Sequence, residues 1–265
     1  MTRFDLTGKT VLITGATDGL GRALARVVLD AGATVLVHGR SPERMAATVA
    51  ELDGGDRVRA YRADFASLAQ VHELADAVLD AEPTLDVLVN NAGIGTRTGQ
   101  VEERELSADG HELRFAVNYL AGFALTERLR GRLSPARIVN VSSLGQQAID
   151  FDDVLLEHGY SGVRAYCQSK LAQILYTFSL AEAGEVATAL HPATYMPTKM
   201  VPSPISTLGE GVEATYRLIA DPALDAVTGR FYDGLREAQP DPQAADAQAR
   251  GRLWELSQQL TARGR

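Results

Sequence analysis

The sequence predicts an α/β fold: one doubly wound domain over residues 1–265, with a parallel sheet of about seven strands and helices on both faces. Three observations point there. Short β-branched apolar runs alternate with helical patterns through the first ninety residues. The alternation continues without a composition break through a sixth run. A glycine-rich turn directly follows the first run, where a strand must hand over to a helix.

Residues 11–13, 35–37, 58–61 and 87–89 are the first four expected strands, and 20–30, 42–52 and 67–81 the helices between them. Pro42 suits a first helical turn, and Ser67 suits an N-cap. A helix over about 108–133, a strand at 138–141, a helix over about 163–183 and a strand at 186–190 follow. Right-handed crossovers wind such units so that a ligand crevice opens at the C-terminal ends of the strands. Pro192, Pro197, Pro202 and Pro204 then crowd a loop before a helix near 208, which suits a substrate lid within about 193–210. The stretch 239–250 reads as an exposed turn feeding a last helix that carries Trp254.

Composition excludes several functions. With 45% hydrophobic residues and no run of eighteen uncharged apolar ones, no membrane span is expected. The start, Met1 to Leu6, lacks the features of a secretory signal, so the cytoplasm is the default compartment. A net charge of −8 disfavours nucleic acid as a partner. The single cysteine, Cys167, allows no internal disulfide, and the five histidines lie too far apart for a metal site.

The turn Thr14-Gly15-Ala16-Thr17-Asp18-Gly19-Leu20-Gly21 carries the first chemistry. Glycines let backbone approach a diphosphate, and the following helix N-terminus offers oriented N–H groups. At the end of the second strand, where NAD-preferring folds place an acid, the chain has Gly39-Arg40-Ser41. Arg40 can pair with a 2′-phosphate, so NADP is favoured over NAD, although Asp18 puts negative charge nearby. Tyr166 and Lys170, four residues apart on a helix, share one face, and an adjacent ammonium lowers a phenol's pKa toward the useful range. Ser142-Ser143 ends the fifth strand at the same edge.

Together these residues resemble the short-chain dehydrogenase/reductase family. The glycine turn, Asn90-Asn91-Ala92-Gly93 and Tyr166 to Lys170 fall in family order, and the resemblance spans roughly residues 8–235. It implies a Rossmann domain and a catalytic set of Asn118, Ser143, Tyr166 and Lys170. In that set Ser143 orients the substrate oxygen, Tyr166 exchanges the proton, Lys170 holds the nicotinamide ribose, and Asn118 anchors a water-mediated relay. It also implies cofactor contacts from Gly15, Thr17, Asp18, Gly19, Leu20, Gly21, Arg40, Asp64, Phe65, Asn91, Ala92, Gly93, Pro192 and Thr198. Two features depart from the family pattern. Pro192-Ala193 stands where the family has Pro-Gly, with Thr198 one residue later than usual. Tyr166 stands 23 positions after Ser143, a long spacing similar to that of the retinol-dehydrogenase-like branch.

The expected activity is hydride transfer between NADPH and a small-molecule ketone or aldehyde, the substrate being lipophilic or a secondary metabolite. Two other readings stand beside it: a catalytically silent NADP-binding sensor, and a non-redox tailoring enzyme on the same fold. Related enzymes often pair through the helices that carry Asn118 and Tyr166. The apolar face of the second permits a homo-oligomer here, whereas the long segment before Tyr166 would obstruct one.

Overall fold

In the computed structural model, which describes residues 4–96, 103–133, 137–197 and 203–262, eight strands form one sheet in the order β3-β2-β1-β4-β5-β6-β7-β8. The strands are β1 (Thr10–Ile13), β2 (Thr34–Gly39), β3 (Val58–Arg62), β4 (Val87–Asn90), β5 (Arg137–Val141), β6 (Val186–His191), β7 (Arg230–Asp233) and β8 (Arg236–Ala238). The first seven are parallel. The sheet therefore has one strand more than the sequence predicts. β8 is antiparallel to β7 and joined to it through Gly234, whose φ of 57° suits the first central position of a tight hairpin turn.

The helices are α1 (Gly19–Asp30), α2 (Pro42–Leu52), α3 (Leu68–Ala81), α4 (Leu113–Phe115), α5 (Ala121–Leu133), α6 (Gly162–Glu182), α7 (Leu208–Ala220) and α8 (Ala247–Ala262). Successive strand residues point to opposite faces, and the core divides accordingly. Val11, Ile13, Val35, Val37 and Val139 pack with α1 and α7. Leu12, Leu36, Leu88 and Ile138 pack with α3, α5, α6 and α8 on the other face. With both faces covered, the strands read as continuous apolar runs rather than alternating ones.

Two helix starts differ from expectation. Ser67 occupies the N-cap of α3 but its side chain makes no capping bond; the Leu68 N–H donates instead to Asp109 Oδ2 at 2.9 Å. The helix expected from about 108 begins at Leu113. Before it, Ser107 Oγ accepts from the Asp109 and His111 N–H groups, and Gly110 turns at φ 81°, which ends in a bridge between Leu106 and Glu112. Serine thus offers the backbone a turn that competes with the helix. Between α4 and α5 lies a π turn, Ala116–Leu120, which contains Asn118. Such wide turns inside helices are frequent at functional sites.

Candidate active site

The glycine turn is held by side chains from the neighbouring strand ends. Thr14 Oγ1 accepts from the Asn91 and Ala92 N–H groups, each at 2.9 Å, while Asn91 Nδ2 donates to the Thr14 carbonyl at 2.8 Å. These reciprocal bonds lash the turn after β1 to the Asn-Asn-Ala-Gly segment after β4. Gly15 turns at φ 66°, and a Cβ on Gly21 would stand 2.3 Å from the Gly15 carbonyl oxygen. No side chain fits there, so the start of α1 packs backbone to backbone against the turn. Asp18 is the N-cap of α1 and accepts from the Gly19 N–H at 2.9 Å. The turn and helix start present the backbone surface that a diphosphate fits.

Around that turn lie the other expected cofactor residues. Thr17 packs against the end of β2, where a Cβ on Gly39 would meet Thr17 Cγ2 at 2.6 Å. Leu20 is buried in α1. Arg40 is exposed just past β2, with its carbonyl accepting from Arg62 Nε at 3.3 Å. Arg44 lies 3.7 Å from Asp18, so the acid's charge has a cation beside it and no longer opposes a phosphate outright. Asp64 and Phe65 follow β3; Asp64 Oδ1 accepts from the Ala66 N–H at 3.0 Å, and Phe65 is buried. Pro192 is buried directly after β6, and Thr198 lies outside the described residues.

The expected catalytic residues converge beyond the C-terminal ends of β4 and β5. Of the two serines, Ser142 donates to the Lys170 carbonyl at 2.7 Å and is buried structure. Ser143 Oγ accepts from the Gly145 N–H at 3.0 Å and lies beside the Tyr166 side chain across Gly145. Burial pushes the Tyr166 phenol above its ordinary value, the neighbouring Ser143 hydroxyl pulls it down, and the nearby Cys167 adds a smaller upward push. Lys170 is fully enclosed, and burial alone lowers its ammonium to about 8.

Lys170 Nζ sits 5.8 Å from the Tyr166 ring centroid and donates to the Val141 carbonyl at 2.9 Å and Gln173 Oε1 at 3.0 Å. A Cβ on Gly93 would lie 3.5 Å from it. Asn118 meets the same point. Its Oδ1 accepts from the Ile94 N–H at 2.7 Å, and its Nδ2 donates to the Ile94 carbonyl at 3.1 Å and to Ser169 Oγ at 2.9 Å. The side chain is thus taken up in holding the 93–94 segment to α6.

Several residues that build the site escaped the sequence reading. His38 joins the glycine turn to the end of β3. Gly145 keeps clear the space beside Ser143 Oγ and Tyr166 Cε1, where its Cβ would stand 3.4 and 3.5 Å away. The long segment before Tyr166 is pinned by side chains. Gln243 Oε1 accepts from the Ile149 N–H at 2.6 Å and its Nε2 donates back to the Ile149 carbonyl, while the Asp241 N–H donates to Gln146 Oε1 at 2.8 Å. At its far end Tyr160 donates to Glu112 at 3.0 Å and accepts from Arg114, whose Nε reaches the Gly95 carbonyl. Only the Ser-Ser-Leu-Gly order hinted at any of these. Among the described residues no cluster of three metal-ligating side chains occurs, and no helix is long and apolar enough to cross a membrane.

Comparison with known proteins agrees with this geometry. The family described as short chain dehydrogenase matches residues 9–200. Mouse retinol dehydrogenase 13 is 36% identical, over 96% of this chain and 84% of that protein. A Streptomyces sp. (strain C5) protein provisionally described as the daunorubicin C-13 ketoreductase DnrU is 37% identical, over 95% of this chain and 92% of its own. Among solved structures, a blue fluorescent protein from a metagenomic library in complex with NADPH superposes with a TM-score of 0.69 at 27% identity, covering 87% of this chain and 99% of that one.

Proposed function

Since the chain belongs to the short chain dehydrogenase family, and is thereby an oxidoreductase of CH–OH groups, we propose that it is an NADP-dependent carbonyl reductase of a lipophilic or secondary-metabolite ketone or aldehyde. The observation that carries this reading is the grouping of Ser143 Oγ and the Tyr166 ring on either side of Gly145, with Lys170 Nζ 5.8 Å from that ring and 3.5 Å from where a Cβ on Gly93 would stand. Exposed Arg40, with Arg44 beside Asp18, supports NADP over NAD. The proposed setting is the cytoplasm, with a small molecule as the reacting partner.

Gly15, Gly19 and Gly21 would hold the diphosphate, Asn91 to Gly93 and Lys170 the ribose next to the nicotinamide, and Asp64 and Phe65 the adenine side. When bound, the dinucleotide supplies the hydride that the carbonyl carbon receives. Ser143, its oxygen already accepting from the Gly145 N–H, turns its own proton toward the carbonyl oxygen and orients it. Tyr166 gives its hydroxyl proton to that oxygen, so hydride and proton together make the alcohol. The buried Lys170 charge favours the tyrosinate left behind once the ammonium turns from Gln173 toward the ribose side.

The test is to incubate the protein with NADPH deuterated at the transferred position and a panel of apolar aldehydes and polycyclic ketones, with NADH in parallel. The reading expects deuterium on the carbinol carbon and tighter binding of NADPH than NADH. Alcohol formed without label, or no alcohol from any member of the panel, overturns it.

A further inference from the structure

His38, the fifth residue of β2, is buried and touches both halves of the expected adenosine-side pocket. Its Nδ1 lies 3.2 Å from the Gly15 nitrogen, its Nε2 lies 3.1 Å from the Ala63 carbonyl oxygen, and its ring stacks on Phe65 with centroids 4.3 Å apart and planes 23° apart. The tautomer follows from the partners. The Gly15 N–H can only donate, so Nδ1 accepts; the Ala63 carbonyl can only accept, so Nε2 carries the hydrogen. Burial lowers the ring's basicity to about 4, which keeps it neutral and preserves that arrangement. The backbone of the same residue adds a third tie, its carbonyl accepting from the Ala16 N–H at 2.9 Å.

We propose that His38 is a positioning residue for the adenosine and diphosphate half of the dinucleotide: its neutral imidazole spans the gap between the glycine turn and the Asp64–Phe65 shelf and sets their spacing. The inference rests on the cofactor reading above and deepens it. Gly15 needs such a tie because it turns at φ 66° against Ala92, where its Cβ would stand 2.9 Å from the Ala92 Cα. Its N–H points at the His38 ring and would lose that partner if the ring were absent. Phe65 likewise loses the flat surface that holds its ring. His38 is therefore more than core filling, since each contact fixes one of the two surfaces that a nucleotide must bridge.

The test measures NADPH affinity by fluorescence titration, with thermal stability alongside, for the parent protein, His38→Ala, His38→Asn and a core variant remote from the crevice, Leu129→Ala. In His38→Ala the dissociation constant should rise about ten- to a hundredfold, because the half-buried Gly15 N–H loses its acceptor and the turn loses its brace. Asparagine places an acceptor where Nδ1 stands, so His38→Asn should recover to within about threefold of the parent, whereas Leu129→Ala should lose stability with its affinity unchanged. Unchanged NADPH affinity in His38→Ala, or an equal loss in Leu129→Ala, overturns the role given to His38 and leaves the reductase reading standing. Failure of the parent protein itself to bind NADPH overturns the cofactor reading, and the role of His38 with it.

Discussion

The crevice is walled differently on its two sides. Toward β1, β2 and β3 it is made of backbone and small residues: Gly15 and Gly21 with no room for a Cβ, and Thr14, Asn91 and His38 tying loop to loop. Toward α6 it is made of long side chains that reach across the chain, as Gln146 does to Asp241, 95 residues away. The first wall tolerates almost no change, because backbone already touches backbone. The second can be refitted by exchanging side chains while the strands stay in place. A ligand common to many proteins belongs on the first wall and a varied one on the second, which is the division expected of cofactor and substrate.

The largest effect should come where the walls meet. Tyr166→Phe removes the proton donor and keeps the ring, so turnover should fall about 10²- to 10⁴-fold while NADPH affinity stays near that of the parent. Steady-state rates with fluorescence titration measure both, and near-parental turnover would remove Tyr166 from the chemistry.

On the first wall, Gly21→Ala drives a methyl into the Gly15 carbonyl, 2.3 Å from its Cβ position. The strain should cost about 1–3 kcal/mol of stability and weaken NADPH binding about tenfold or more. Calorimetric titration and chemical denaturation check this, and an unchanged affinity would show that the turn is looser than described.

Lys170 sharpens the comparison through pH. Its folded value is lowered to about 8 from an ordinary 10.5, so between those values the unfolded chain binds more protons than the folded one. Its burial penalty is full below about pH 8 and is relieved as pH rises toward 10.5. The stability of the parent protein relative to Lys170→Met should therefore rise over that window, by at most about 3 kcal/mol. Urea unfolding of both proteins at pH 7 and pH 10 measures it, and a constant gap would mean that the ammonium is better solvated than its surroundings suggest.

The smallest effect belongs to the second wall. Gln243→Leu removes the clasp on Ile149 and should raise the substrate KM a few-fold, about 1 kcal/mol of lost positioning, without altering NADPH affinity. A matching loss of cofactor affinity would mean that the two walls are not independent.

How legible each wall was follows from the same contrast. Alternating apolar runs, the glycine turn, Asn91 to Gly93 and the Tyr166–Lys170 spacing are local patterns, and they marked the first six strands, the sheet edge where the site is expected and the residues expected in it. His38 was not legible, because its partners at Gly15 and Ala63 lie 23 and 25 residues away and no short pattern encodes them. Gln243 sat in a stretch that reads as an exposed turn, and its role comes only from the return of the chain past Ile149. The eighth strand is three residues long, too short for any periodicity, and Gly234 was its one signal. The direction of the Lys170 ammonium depends on Gln173 and the Val141 carbonyl, a matter of rotamer rather than of pattern.

That short strand has a consequence for how the molecule meets its neighbours. β8 closes one border of the sheet with Arg236 and Glu237, both exposed, and Glu237 reaches back to Arg230 at 3.1 Å. An incoming strand would find only a three-residue ladder fringed with charge, a poor template for continuing the sheet into a second chain. Strand-by-strand association is thereby disfavoured at this border of the sheet.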